Sequence, residues 1–231
     1  MKRTVVAVLV ALAAFCAAAQ GTLKLRFAPG SAFVHTKWFG PAPVKLRPQM
    51  AFWIETADGR FGYTIFVTHR SAAADWRAAG GARRPEALPL WSHARGIQSA
   101  DGFYMPDAAH PLPDAVSGAT PEAAFSKSWK LPADLAPGSY RIRAELNTSY
   151  DWNESYPDRL PKSNPRWSAA NGQPSIVWEA SIEIGRQPAQ AELAPVGVGS
   201  LDGSDGDLRL GLEGITSARA IAASITVVYV P

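Results

Sequence analysis

Cysteine is nearly missing from this chain. Its 231 residues contain one, Cys16, inside an apolar run at the N-terminus. A strong excess of either charge is missing too: 23 Lys and Arg against 20 Asp and Glu give a net +3. No basic run tracks a phosphate backbone, which argues against nucleic acid as a partner. Beyond the N-terminus no stretch approaches the roughly 20 apolar residues a membrane-spanning helix needs. Catalytic and metal signatures are also absent. There is no G-x-S-x-G, P-loop or H-E-x-x-H, and His35, His69, His93 and His110 form no pair at ligand spacing. The expectation is a non-enzymatic protein with no catalytic residue and no metal site.

What is present begins with a secretory leader. Lys2 and Arg3 precede the apolar run Thr4 to Phe15, and Ala17-Ala18-Ala19 offers a cleavage site before Gln20. Phe15 is too bulky for the small residues that precede a lipidated cysteine, so the leader reads as an ordinary signal, residues 1–19. Removing it leaves 21 cations against 20 acids, a net +1, and no thiol for a disulfide. The expected location is periplasmic or secreted. About 210 residues remain, enough to bury a core without disulfides.

The apolar pattern has period two, which argues strands. Leu23, Leu25 and Phe27 alternate with Thr22, Lys24 and Arg26. Residues 49–56 and 61–68 flank an Asp58-Gly59 turn and predict a hairpin. Residues 125–131 and 139–147, around Ala136-Pro137-Gly138, predict a second one. In its second strand Tyr140, Ile142, Ala144 and Leu146 face a core, opposite a wet face of Arg141, Arg143 and Glu145. Further strands are expected at 176–184 and 225–230. Helix is scarce, with candidates at 71–79 and 218–223, while 19 Pro and 19 Gly punctuate the strands. The expected fold is all-β, an antiparallel sandwich over residues 20–185. Residues 186–231 form a linker and a C-terminal strand segment packed on it. Two long loops, from Gly80 to about Ala124 and from Thr148 to Ser175, exceed the usual ~15-residue limit and are the natural seats of function.

The first loop holds Asp114-Ala115-Val116-Ser117-Gly118-Ala119-Thr120. One reading makes Thr120 an N-cap, with Pro121 and Glu122 opening a helical turn to Phe125. The other makes Thr120 an exposed hydroxyl with little bulk before it, approachable through Gly118 and Ala119. The second loop holds Tyr150-Asp151-Trp152-Asn153-Glu154, with Tyr156 and Trp167 beyond. Its rings offer a platform for a ligand or partner, or a cover for the sandwich end. Asp151 and Glu154 are the one conceivable acid/base pair, though loop acids more often bond backbone N–H groups. In the Asp202–Asp207 stretch, Glu213 stands twelfth from Asp202, as in an EF-hand, but Asp207 displaces the required glycine and a solvated turn is expected.

Two resemblances follow from these residues. Asp114-x-x-Ser117-Gly118-Ala119-Thr120 resembles the motif at which an FMN transferase esterifies flavin phosphate onto threonine. That implies a cofactor site at Thr120, Ser117, Gly118 and Asp114. Over most of its length the chain also resembles the predicted periplasmic, Ig-like domain-of-unknown-function family 2271. The match is carried by Lys37-Trp38-Phe39-Gly40, Phe52-Trp53-Ile54-Glu55, Leu90-Trp91-Ser92, the heptapeptide, Pro137–Tyr140, Tyr150–Glu154, Asn171–Ser175 and Gly214–Ala218. This resemblance implies an immunoglobulin- or fibronectin-III-like sandwich, found near PepSY-type reductases and FMN transferases. The first functional expectation is therefore an accessory protein that binds an envelope protein or small ligand in a redox or metal-acquisition system, without a cofactor. The alternative is an electron carrier with covalent FMN on Thr120. In either case Asp114–Thr120 and Tyr150–Glu154 are expected to form the functional face.

Overall fold

The computed structural model describes residues 21–76, 83–107, 109–110, 112 and 116–231; the leader, Cys16, Asp114 and Ala115 lie outside the described residues. Two sheets face each other. The smaller has the order β10 (Ala189–Glu192), β13 (Ala222–Val230), β1 (Thr22–Pro29), β7 (Phe125–Lys130). The larger runs β12 (Arg209–Leu210), β11 (Ala194–Val198), β9 (Ile176–Ile184), β8 (Gly138–Asn147), β4 (Gln49–Thr56), β5 (Phe61–Thr68), β6 (Ser117–Gly118). Between them lies the main core. It takes Leu23, Leu25 and Phe27 from β1, Ile225, Val227 and Tyr229 from β13, and Phe52, Ile54, Ile142 and Leu146 from the larger sheet. The alternation in β1 and β8 puts these side chains inward because successive strand residues point to opposite faces. The fold is thus an all-β sandwich.

Three expectations are corrected. The hairpin at 49–56 and 61–68 is real, with β4 and β5 antiparallel. The second is not: β7 pairs with β1 in one sheet, while β8 pairs with β4 and β9 in the other. Residues 131–137 therefore cross between the sheets. The wet face of β8 is wet only in part. Glu145 is completely buried, because residues 83–107 fold over the outer face of the larger sheet. There α2 (Pro89–Ala94) packs Leu90 and Trp91 against Ala51, Trp53 and Val177. With both faces covered, β4 is buried from Gln49 to Glu55. The third correction concerns helix: only α1 (His69–Ala72) forms among the described residues of 71–79. At 218–223 there is a single 3-10 turn, Ser217–Ala220, before β13 begins.

A two-stranded ribbon, β2 (His35–Phe39) and β3 (Ala42–Leu46), belongs to neither sheet. It stands beside α1 and the second long loop, and together they enclose the site.

Candidate functional site

The expected helical turn after Thr120 is absent; residues 119–121 have no regular secondary structure and no helix covers 121–125. The heptapeptide instead adds a short parallel strand to the edge of the larger sheet. Ser117 and Gly118 of β6 pair with Val67 and Thr68 of β5, and Val67 N–H donates to Val116 C=O at 2.8 Å. Gly118 is needed for this approach, because a Cβ there would lie 2.9 Å from the Phe66 ring. Pairing delivers Thr120, two residues on, to a cavity of about 480 Å³. Thr120 is half-buried, and its hydroxyl makes no hydrogen bond among the described residues.

The same cavity is lined by Tyr150 from the second loop, so the two predicted segments meet there through one residue each. Tyr150 holds a left-handed backbone, φ +60°, a conformation costing on the order of 1–3 kcal/mol for a bulky residue. Its neighbours hold it in place. Tyr150 N–H donates to Ala170 C=O at 2.5 Å and Asp151 N–H to Asn171 C=O at 2.9 Å. Asp151 C=O accepts from Gln173 N–H at 3.0 Å. Gly172, at φ +76°, lets the strands close here, since a Cβ would stand 2.4 Å from Asp151 O. The Asp151 carboxylate accepts from Ser217 Oγ at 2.5 Å. Burial pushes its pKa up, against the pull of that bond and of His35.

The rest of the predicted patch does other work. Asn153 donates to Gly214 C=O and to Thr216 Oγ1, fixing the loop to the C-terminal segment. Glu154 is exposed and Trp152 half-buried, and neither lines the cavity. Tyr156 packs on the main core, and Trp167 lies under Lys162. The acid/base idea has a buried, bonded Asp151 and a solvated Glu154, with no shared cleft. Among the described residues no three His, Cys, Asp or Glu gather as a metal site. Asp202 accepts from Ser200 and Ser204, and Asp205 pairs with Arg209, so the Gly/Asp stretch is a hydrogen-bonded turn.

Sequence reading missed the cations. Lys45, Arg47, Arg70 and Arg84 line the cavity, and among the described residues no carboxylate does. They come from β3, the β3–β4 link, α1 and the first long loop, so no spacing betrays them. The one available signal is that no Asp or Glu precedes Glu55. Arg84 is committed: it is buried, pairs with Glu86, and donates to Asn171 Oδ1 at 2.7 Å and Ser149 Oγ at 3.2 Å. Among the described residues Arg47 pairs with Glu122 alone, at 3.3 Å, and the Glu122 side chain is 80% exposed. Arg70 is exposed and stacks 6.0 Å from the Trp76 ring, which Arg84 also approaches, at 5.2 Å. Gln49 shapes the floor, accepting from Thr68 Oγ1 at 2.8 Å and Ser71 Oγ at 3.1 Å. Over the mouth, Phe39 of β2 meets Tyr150 edge to face, centroids 5.5 Å apart at 81°.

The chain matches no protein-family model, no curated protein and no solved structure.

Proposed function

We propose that this is an exported flavin carrier, an immunoglobulin- or fibronectin-III-like sandwich with FMN joined through its phosphate to Thr120. One observation carries the reading. Thr120 of the D-x-x-S-G-A-T segment caps no helix, lines a cavity walled by cations and aromatic rings, and has a hydroxyl with no hydrogen bond among the described residues. The cavity, about 480 Å³, falls within the ~300–1,000 Å³ typical of small-molecule sites. Its donor set suits a phosphodiester, because Arg47, Arg70 and Lys45 supply charge and no acid lines the cavity among the described residues. Asp114, at the head of the motif, lies outside the described residues.

Esterification forms the Thr120 Oγ1–P bond. With a flavin dinucleotide as donor, the pyrophosphate P–O bond breaks, the nucleoside monophosphate leaves, and the hydroxyl proton passes to the transferase. Ala119, small and exposed beside Thr120, leaves room for that enzyme. Bound flavin supplies one- and two-electron transfer. The chain orients it, neutralises its phosphate, and shields the ring with Phe39 and Tyr150. Partners on this reading are an FMN transferase and an envelope redox protein.

The test is co-expression with an FMN transferase in an export-competent host. Wild type should be yellow and heavier by one FMN less water. Thr120→Val should be colourless and of unmodified mass. A wild-type protein of unmodified mass, with the transferase shown to be active, would reject the carrier.

A further inference from the structure

The cavity holds more recognition than an ester anchor requires. Trp76, 3% exposed, lines it, and its indole N–H meets no acceptor among the described residues. An unmatched buried donor costs about 1–3 kcal/mol, so such groups ordinarily mark a place where something else supplies the acceptor. The Arg47 Nε–H is unmatched in the same way. Trp76 and Arg47, each with an unmatched donor, thus line the same cavity as the exposed cation of Arg70, and among the described residues no carboxylate lines it. Arg84 does not compete for a ligand, because Glu86, Asn171 and Ser149 already take its guanidinium. The apolar part of the lining is Phe39, Val44, Leu46 and Tyr150, with the Phe39 and Tyr150 rings edge to face.

From this we infer that the cavity is a non-covalent binding site for a planar ring carrying a monophosphate. Arg47, Arg70 and the Trp76 indole N–H read the phosphate, and Phe39 and Tyr150 cover the ring. The inference deepens the flavin reading by making the site competent before any ester exists. The free cofactor's dianion would meet the same donors as the phosphodiester, with one more negative charge to attract them. Flavin and purine mononucleotides share this chemistry, and the ring-side wall separates them by size.

The test uses the full mature chain as Thr120→Val, which cannot be esterified, with FMN, riboflavin, AMP and inorganic phosphate followed by titration calorimetry. FMN should bind at least about tenfold more tightly than riboflavin, equivalent to ~1.4 kcal/mol from the phosphate. Inorganic phosphate should compete. Arg47→Gln and Arg70→Gln should each erase most of that preference, and Trp76→Phe should weaken FMN without weakening riboflavin. Arg60→Gln, on an exposed turn paired to Asp58, should change nothing. Circular dichroism establishes that each variant is folded. Tighter binding of AMP than FMN would uphold the phosphate site and name a purine nucleotide as its ligand. Equal affinity for FMN and riboflavin, an unchanged preference in the arginine variants, or no binding at millimolar ligand would overturn the site. The two proposals fail separately. An ester on wild type without binding by Thr120→Val removes this inference alone, and binding without any ester removes the carrier alone.

Discussion

Glu145 is the residue whose chemistry departs furthest from its neighbours. It is fully buried under α2, where its carboxylate accepts from Trp91 N–H at 2.8 Å, Leu90 N–H at 3.2 Å and Ser175 Oγ at 2.6 Å. Burial outweighs those bonds and the charge of Arg143, and lifts its pKa from 4.5 to about 7. The folded state then holds the proton more tightly than the unfolded chain does. The resulting stability is fully present below about pH 4.5, falls as pH rises toward 7, and is gone above that. The span corresponds to ~3 kcal/mol. Denaturant melts should show wild type losing that stability between pH 5 and 8, with most of the loss absent in Glu145→Gln; parallel pH profiles would refute it. At this scale Thr120 and Tyr150 were both legible in the sequence, one by motif and one by a ring among polar loop residues. Arg47, Arg70 and Trp76 were not, because they converge only in space.

At the scale of elements, β4 and β5 were readable because a two-residue turn signal and the strands beside it are local. The strands β7 and β8 have the same local signature, yet their partners lie far off in sequence: Leu23↔Trp129 for one and Ile54↔Ile142 for the other. A turn between strands does not say whether they pair or part. The β2–β3 ribbon was not foreseen as an element at all. It pairs with neither sheet and presents Trp38, 61% exposed, to solvent. Replacing residues 35–46 with a short Gly/Ser linker should therefore leave the strand spectrum intact and lower Tm by no more than about 5 °C, or ~1–2 kcal/mol. FMN affinity should fall at least about tenfold, since Phe39, Val44 and Leu46 go with the ribbon. Unfolding of the sandwich, or unchanged affinity, would show the ribbon's role to be otherwise.

Across the whole molecule, the sandwich buries two surfaces, the interior between the sheets and the outer face of the larger sheet under α2, so that β4 is covered on both sides. Phe52, fully buried in the main core beside Phe27, Phe66 and Phe125, should cost ~3–5 kcal/mol as Phe52→Ala, measured by urea denaturation. A value below about 1 kcal/mol would mean that this core is loosely packed. A chain processed after Ala19 has no thiol, so a reductant should leave its melting temperature unchanged. A shift would show that Cys16 is retained. Strand content and core alternation follow from period-two patterning, whereas the covering of the outer face depends on a loop whose Leu90 and Trp91 carry no strand signal.

The proposed function rests on one covalent bond, and one peptide reports it. Tryptic cleavage after Arg95 and Lys127 releases residues 96–127 intact, because no Lys or Arg lies between. After co-expression with an FMN transferase, tandem mass spectrometry should find that peptide carrying FMN less water, with fragment ions placing it on Thr120. An unmodified peptide from a transferase-positive host, or FMN on Ser117 in its place, would contradict the assignment.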